Sequence, residues 1–381
     1  MPTAFGFSSI CGAGEESTVG TVVVVTQAQP YMSESLNAQN TLLPDEVLEG
    51  RIGPRTPDLG PLDFAGDVSM RWRYTNSQLF LKNFFGDLTT GRYSLLTSTE
   101  GKSLTIAIDK RVGVWEFAGC KVSQFTLEAS PEAVGMTYSV LPMARSLSSV
   151  TNTQAIVSAL CNADRNILFT DLNLRIGDQA DALAVGDEIK VTSLNVSMSR
   201  ELDQVHVNGQ RGILEALESA KLTGTLSLNL ARYSANTMHS WQDALTRLQA
   251  RIYFSNSGKS KEILIPNLVV EQAETPVDGP EVLDLDATFQ IAVGVDTVTG
   301  TNISASTTDD SFNSASSAFP IIHPGATLCV SGFTAGADNG NFTVVSATAA
   351  KIIVTANLTT EAAGNSVTVT SFNPLLLINE V

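Results

Sequence analysis

Along most of the chain apolar and polar residues alternate singly, which is the period of a half-buried strand. Residues 62–74 alternate loosely and 122–128 more cleanly, and 189–198, 222–230 and 283–291 repeat the pattern. In the last of these, Leu283, Leu285, Ala287, Phe289 and Ile291 share one face, and Asp284, Asp286, Thr288 and Gln290 share the other. A strand with one dry and one wet side belongs to an antiparallel sheet. Helical periods are rare. Residues 236–250 place Trp241, Leu245 and Leu248 at i, i+4 and i+7 behind a Ser234 or Asn236 cap, and 76–85 carry Leu79, Phe80, Leu81, Phe84 and Phe85. The expectation is a mainly β protein with one helix in each half.

The halves repeat one another. Ser35-Leu36-Asn37 recurs as Ser193-Leu194-Asn195 and Gly66-Asp67-Val68-Ser69 matches Gly224-Thr225-Leu226-Ser227, both at a shift of 158. Arg73-Tyr74 matches Arg232-Tyr233 at 159, and Gly101-Lys102-Ser103 matches Gly258-Lys259-Ser260 at 157. Beyond this the register drifts, with Ser130-Pro131 answering Thr275-Pro276. The Ser/Thr/Asn-rich stretch 142–162 reads as a linker or strap. From Asp296 onward Lys351 is the one Lys or Arg, and short strands at 327–330, 342–345, 352–354 and 367–369 predict a small β-sandwich. The division is therefore 1–142, a linker at 143–162, 163–295, and a C-terminal β module at 296–381.

Composition narrows the function. The 381 residues include 23 Lys+Arg and 39 Asp+Glu, for a net charge of −16. A basic grip on nucleic acid is excluded on that balance. The 43% hydrophobic content fills real cores, so the chain is not disordered. No apolar run approaches the ~18 residues of a membrane span. The start, Met1-Pro2-Thr3-Ala4, lacks the basic opening of a secretory leader.

No reactive centre emerges. Cys11, Cys120, Cys161 and Cys329 are far apart and read as small buried apolar residues, and His206, His239 and His323 lie in no metal-ligand spacing. The two Gly-Lys-Ser triplets precede strands rather than helices, so they read as turns and not phosphate loops. Asp338-Asn339-Gly340-Asn341 lacks the distal Glu of a calcium loop and reads as a hairpin turn. Asp284 and Asp286 read as a solvated strand face rather than an acid–base pair. Catalytic residues, metal and cofactor are all expected to be absent.

Several segments resemble tailed-phage major tail tube proteins. They are Glu15-Glu16-Ser17-Thr18-Val19-Gly20-Thr21, Tyr31-Met32-Ser33-Glu34-Ser35-Leu36, and Gly119-Cys120-Lys121-Val122 running into Phe125-Thr126-Leu127 and Ser130-Pro131. In the second half Thr223-Gly224-Thr225-Leu226-Ser227-Leu228 resembles the corresponding tube strand. The tail from Ile303 to Thr370 resembles Ig-like β modules appended to phage structural proteins. The resemblance implies two tandem tube-type β-sandwich or half-barrel domains, each with a flanking helix. It implies homotrimeric, pseudo-hexameric rings stacked in a siphophage tail assembled in the host cytoplasm. Implied partners are sister copies and the tape measure, terminator and distal tail proteins, with no membrane, and DNA passing through without specific binding. Asp284, Asp286 and Glu128 are the candidate lumen carboxylates, an outer face being the alternative. The competing reading is a glycan-binding phage or bacterial surface β-protein acting through residues 303–370. That module lacks aromatic platforms, since its phenylalanines fall where core is expected. An enzyme is the weakest reading, for want of a nucleophile–base pair.

Overall fold

The computed structural model describes residues 6–44, 56–75, 78–86, 92–94, 102–160, 164–218, 221–277, 283–316 and 319–380. It is mainly β. The chain divides into two compact units that do not follow chain order: residues 1–87, 96–170 and 195–223 form the first, and 88–95, 171–194 and 224–381 the second.

The first copy of the repeat contributes β1 (Ile10–Glu15), β2 (Gln27–Gln29), β3 (Asn37–Leu43), β4 (Asp58–Arg71), α1 (Gln78–Phe85), β5 (Leu104–Asp109), β6 (Val114–Ala129), β7 (Val134–Leu141), β8 (Ala144–Ser146) and α2 (Gln154–Ala159). The second contributes β9 (Leu172–Asp178), β10 (Glu188–Ile189), β11 (Ser193–Ser199), β12 (Leu202–His206), β13 (Ile213–Glu218), β14 (Thr223–Leu230), α3 (Thr237–Asp243), β15 (Leu248–Asn256), β16 (Lys259–Glu274) and β17 (Leu285–Ile291). The last strand of the chain is β18 (Leu377–Glu380).

Both copies pair their strands in one order. The first runs β2–β1–β5–β6–β7–β4, all antiparallel. The second runs β10–β9–β15–β16–β17–β14. The long strands β6 and β16 have 16 residues each. Even a bulge recurs, between Leu104 and Ile106 on β5 and between Leu248 and Ala250 on β15. Duplication is thus visible in topology as well as in sequence.

The register of the repeat changes after the helix. Residues 86–103 separate α1 from β5, whereas only 244–247 separate α3 from β15. The shift between copies therefore falls from 158 to 145, at which Ser130-Pro131 does match Thr275-Pro276. The Gly-Lys-Ser match is not an equivalence. Gly258 sits in the two-residue turn between β15 and β16 with φ 81°, beside Ser257 at φ 49°, a primed hairpin turn. Lys102 instead precedes β5, and Gly101 lies outside the described residues.

The first copy carries a second short helix, α2, beyond the one expected, and the two predicted helices differ. α1 forms where expected and buries Leu79, Phe80, Leu81, Asn83, Phe84 and Phe85. The predicted helix at 236–250 is only seven residues long, Thr237–Asp243, with Met238 its one buried residue. Leu245 turns out with φ 48° and is 70% exposed, and Leu248 opens strand β15. A strand start following a turn imitated helical spacing.

The stretch 142–160 is tied to the first unit at several points, with Leu147 and Val150 left exposed between them. β8 pairs with β6, and α2 lays Val157 against Val25, Ala107 and Val114. Asn152 is fully buried and edges this seam: it accepts from Val25 N (2.8 Å) and donates to Val23 O (3.0 Å) and Glu116 Oε2 (2.7 Å). A Ser/Thr-rich composition here serves backbone satisfaction rather than looseness.

The C-terminal module is a seven-stranded β arrangement with its own core, including Phe312, Leu328, Val344, Ile352 and Val367. It does not end the fold. After it the chain returns as β18, which pairs residues 377–380 with 264–261 of β16. In the first copy β8 pairs residues 144–146 with 118–116 of β6, the positions 145 earlier. The module is therefore inserted between β17 and its closing strand. Its ends meet, with Asn373 N donating to Gly294 O at 2.9 Å and Val295 paired with Phe372. Cys11 and Cys120 are buried as expected, but Cys329 is exposed on a strand with alternating burial; Cys161 lies outside the described residues.

Candidate functional site

The motif residues meet at one node in the first unit. β6 stays paired with β5 up to Cys120 and with β7 from Lys121, and Gly119 falls at the bulge opposite Leu104 and Ile106, where the ladder is irregular. Buried backbone groups must then find other partners. Gly119 N donates to Glu16 Oε1 (2.9 Å), and the same buried carboxylate accepts from Gly20 N (2.8 Å), Ser103 Oγ (2.7 Å) and Thr105 Oγ1 (2.8 Å). Asn83 of α1 donates to Cys120 O (3.1 Å) and accepts from Val122 N (2.7 Å). Gly119 needs to be glycine: its φ is 63°, and a Cβ would stand 2.3 Å from Met143 Sδ.

The node also grips the segment that the second copy lends to the first unit. Lys121 is 1% exposed and donates to Glu215 Oε1 (2.8 Å) and Ala216 O (2.7 Å) of β13. Arg200 N donates to Ser123 O (2.8 Å), its Nε to Val122 O (3.0 Å), and its Nη2 to Asn83 O (3.1 Å). Asn83, Arg200 and the Lys121–Glu215 pair escaped sequence reasoning. The one available signal was an Asn in an otherwise apolar helix face.

Glu15 beside the node is held below the usual carboxylate range. Burial acts to raise it, but hydrogen bonds and charge from Lys82 (2.7 Å) and Lys102 (3.3 Å) outweigh that. Burial pushes the Cys11 thiol up to about 12, with the Glu34 charge adding to it, and burial likewise raises Cys120. Neither thiol is a nucleophile in the folded chain.

The surfaces that remain are two like polar sheet faces. In the first unit β4, β7 and β6 present Asp67, Ser69 and Arg71, then Ser139, Thr137 and Gly135, then Gln124, Thr126 and Glu128. In the second unit β14, β17 and β16 present Thr225, Ser227 and Asn229, then Gln290, Thr288 and Asp286, then Gln272 and Glu274. Cross-strand bonds occupy many of these groups: Ser69 with Thr137 (2.9 Å), Ser139 to Asp67 (2.7 Å), Ser227 with Thr288 (3.4 Å) and Asn229 to Asp286 (2.6 Å). The result is a hydroxyl- and amide-covered surface with a few carboxylates and one cation, Arg71, which donates to Glu132 O (3.2 Å). Such a face has little with which to hold an anion.

Of the predicted acids, Glu128 and Asp286 are exposed on these faces, and Asp284 is half-buried just before β17 begins. Glu128 belongs to the first unit and the two aspartates to the second. Asp338 is fully buried and accepts from Thr359 N (2.6 Å), in the loop joining strands 327–331 and 340–348. Among the described residues no group of three or more His, Cys, Asp or Glu is placed to hold a metal, and no helix is long and apolar enough to cross a membrane.

Comparison with known proteins places this geometry. No curated protein matches the chain. The model of the phage tail tube protein family matches residues 6–291, which include the node, both polar faces and both copies up to β17. The chain belongs to the phage tail tube protein family.

Proposed function

We propose that this protein is the major subunit of a siphophage tail tube, a passive conduit through which DNA leaves the capsid. One chain supplies two tube domains, 1–142 and 163–295 with the closing strand β18, joined by 143–162, and the Ig-like module inserted between Val295 and Phe372 is an external decoration. Three chains close a pseudo-hexameric ring, and rings stack into the tube. The observation that carries this reading is the like polar face on both copies: equivalent strands β4/β7/β6 and β14/β17/β16 bear hydroxyls, amides and scattered acids. Two such faces per chain suit a lumen of near-uniform lining.

Electrostatics supports the same assignment. With −16 per chain, a ring of three carries 3 × (−16) = −48. Duplex DNA presents one negative charge per about 1.7 Å, and carboxylates within roughly a Debye length of 8–10 Å repel it. Glu128 and Asp286, with Asp284 at the strand entry, are the proposed lumen acids. Hydroxyls already bonded to one another give phosphate no ready donors. Partners are sister copies, with tape measure, terminator and distal tail proteins at the ends, and no reaction is catalysed.

The test is negative-stain electron microscopy of the purified full-length chain. Hollow tubes, or rings of six-fold appearance containing three chains by mass, are expected. Compact monomers at every concentration would overturn the reading.

A further inference from the structure

The three most exposed large apolar side chains among the described residues are Val150 (91%), Phe7 (90%) and Val112 (80%). All three lie at one end of the first unit. Val112 is in the turn between β5 and β6. Phe7 precedes Ser8, whose carbonyl accepts from Arg111 Nε (2.7 Å), and Val150 follows Ser149, whose N–H donates to Val114 O (3.1 Å). Leu147, 52% exposed, belongs to the same end: its carbonyl oxygen is 2.8 Å from where a Cβ on Gly113 would stand. Single exposed apolar residues are ordinary, but a group of them marks a contact surface. The corresponding hairpin of the second copy, β15–β16, turns through Ser257 and Gly258 between Asn256 and Lys259 and offers nothing apolar.

The far end of β6 carries the complement. There the turn 130–133 and the segment 166–170 enclose a half-open hollow of about 240 Å³, lined by Pro131, Ala133, Val134, Ile167, Leu168 and Phe169. Its walls are fixed to the chain after β4: Trp72 N donates to Val134 O (3.2 Å), Ile167 N to Trp72 O (2.9 Å), and Arg73 Nε to Asn166 Oδ1 (3.1 Å). Charge matches as well. Arg111 stands beside Val112, and Glu132 on the rim of the hollow has its carbonyl oxygen, not its carboxylate, bonded by Arg71 (3.2 Å). Projection and hollow sit at opposite ends of a 16-residue strand, so the unit does not fill its own hollow.

We infer that the apolar end of the first unit, led by Val112 and Val150, seats in the hollow between 131–134 and 166–170 on the first unit of a second copy in the next ring. The inference rests on the tube reading above and names its ring-to-ring joint. An apolar projection that fits a hollow elsewhere on the same surface makes a head-to-tail contact, which repeats without closing and builds a filament. Because the second copy lacks the projection, a ring of three chains carries three keys rather than six. Rings therefore stack first unit over first unit, and the tube keeps three-fold symmetry along its length although its wall looks six-fold.

Val112→Glu with Val150→Glu in the full-length chain separates ring from tube. Both side chains are exposed, so the variant should fold by circular dichroism and form rings of three chains by mass. The concentration needed for tubes should rise by about tenfold or more, since each buried valine is worth at least one such factor. Val112→Cys with Ala133→Cys tests the joint directly. Oxidised tubes of that variant should give a ladder of cross-linked chains that neither single variant gives. Tubes that grow normally with both valines replaced, or that yield no ladder with both cysteines present, overturn the joint and spare the tube reading. Failure of the unaltered chain to form rings or tubes overturns both.

Discussion

A single carboxylate shows how much one residue holds here. Glu16 is 6% exposed and receives four hydrogen bonds from groups spread over residues 20–119. Bonds to a charged acceptor are each worth about 1.5–3 kcal/mol and are not additive. Glu16→Ala should therefore lower unfolding free energy by about 3 kcal/mol or more, read by urea denaturation; a loss below about 1 kcal/mol would mean the node is not structural. Glu15 gives the pH dependence. Its folded value lies below its ordinary one, so its contribution is present above the unfolded value of about 4.3 and is lost as pH falls through the folded value. Replacing Lys82 and Lys102 by Met should weaken that acid-side loss of stability, measured as denaturation midpoint against pH. Thiol chemistry separates the cysteines: in the folded chain a maleimide should label Cys329 and spare Cys11 and Cys120, as mass mapping of the sites would check.

At the scale of elements, the strands were legible and the helix ends were not. Alternation along 283–291 placed Leu285, Ala287, Phe289 and Ile291 inward, and β17 buries all four. Alternation is a local consequence of the pleat, so a sheet face can be read without knowing its neighbours. The helix at 236–250 failed because Leu245 and Leu248 fit a 3.6 period by accident across a turn. The partner switch at Gly119–Lys121 was invisible too, since it depends on which strand lies beside β6. It has a sharp test: Gly119→Ala places a Cβ against Met143 with φ at 63° and should cost about 2 kcal/mol or more, whereas Gly186→Ala, which meets nothing within 4 Å, should be nearly neutral.

Across the whole molecule, the order of pairing decides which parts can be removed. A composition break at residue 296 suggests an appendage, yet β18 returns after it with Leu376, Leu377 and Ile378 at 0–1% exposure. Truncation after Val295 discards those side chains, each worth about 1.5–3 kcal/mol of burial, and should leave the second unit aggregated or protease-sensitive. Joining Gly294 to Asn373 removes the module but keeps β18, because those two residues already share a hydrogen bond of 2.9 Å. That deletion should stay folded and still assemble. Equal behaviour of the two shortened chains in limited proteolysis and gel filtration would disprove the insertion.

Taken alone, the order of residues specified the strands, the dry and wet faces, the acidic balance and the duplication, because each depends on spacing or counting along the chain. Tertiary structure decided the rest: that the repeat resumes at a shift of 145, that residues 195–223 join the first unit, and that the final strand closes the second. Strand pairing joins residues more than a hundred positions apart, and nothing in the local period of a strand records which neighbour will satisfy its backbone.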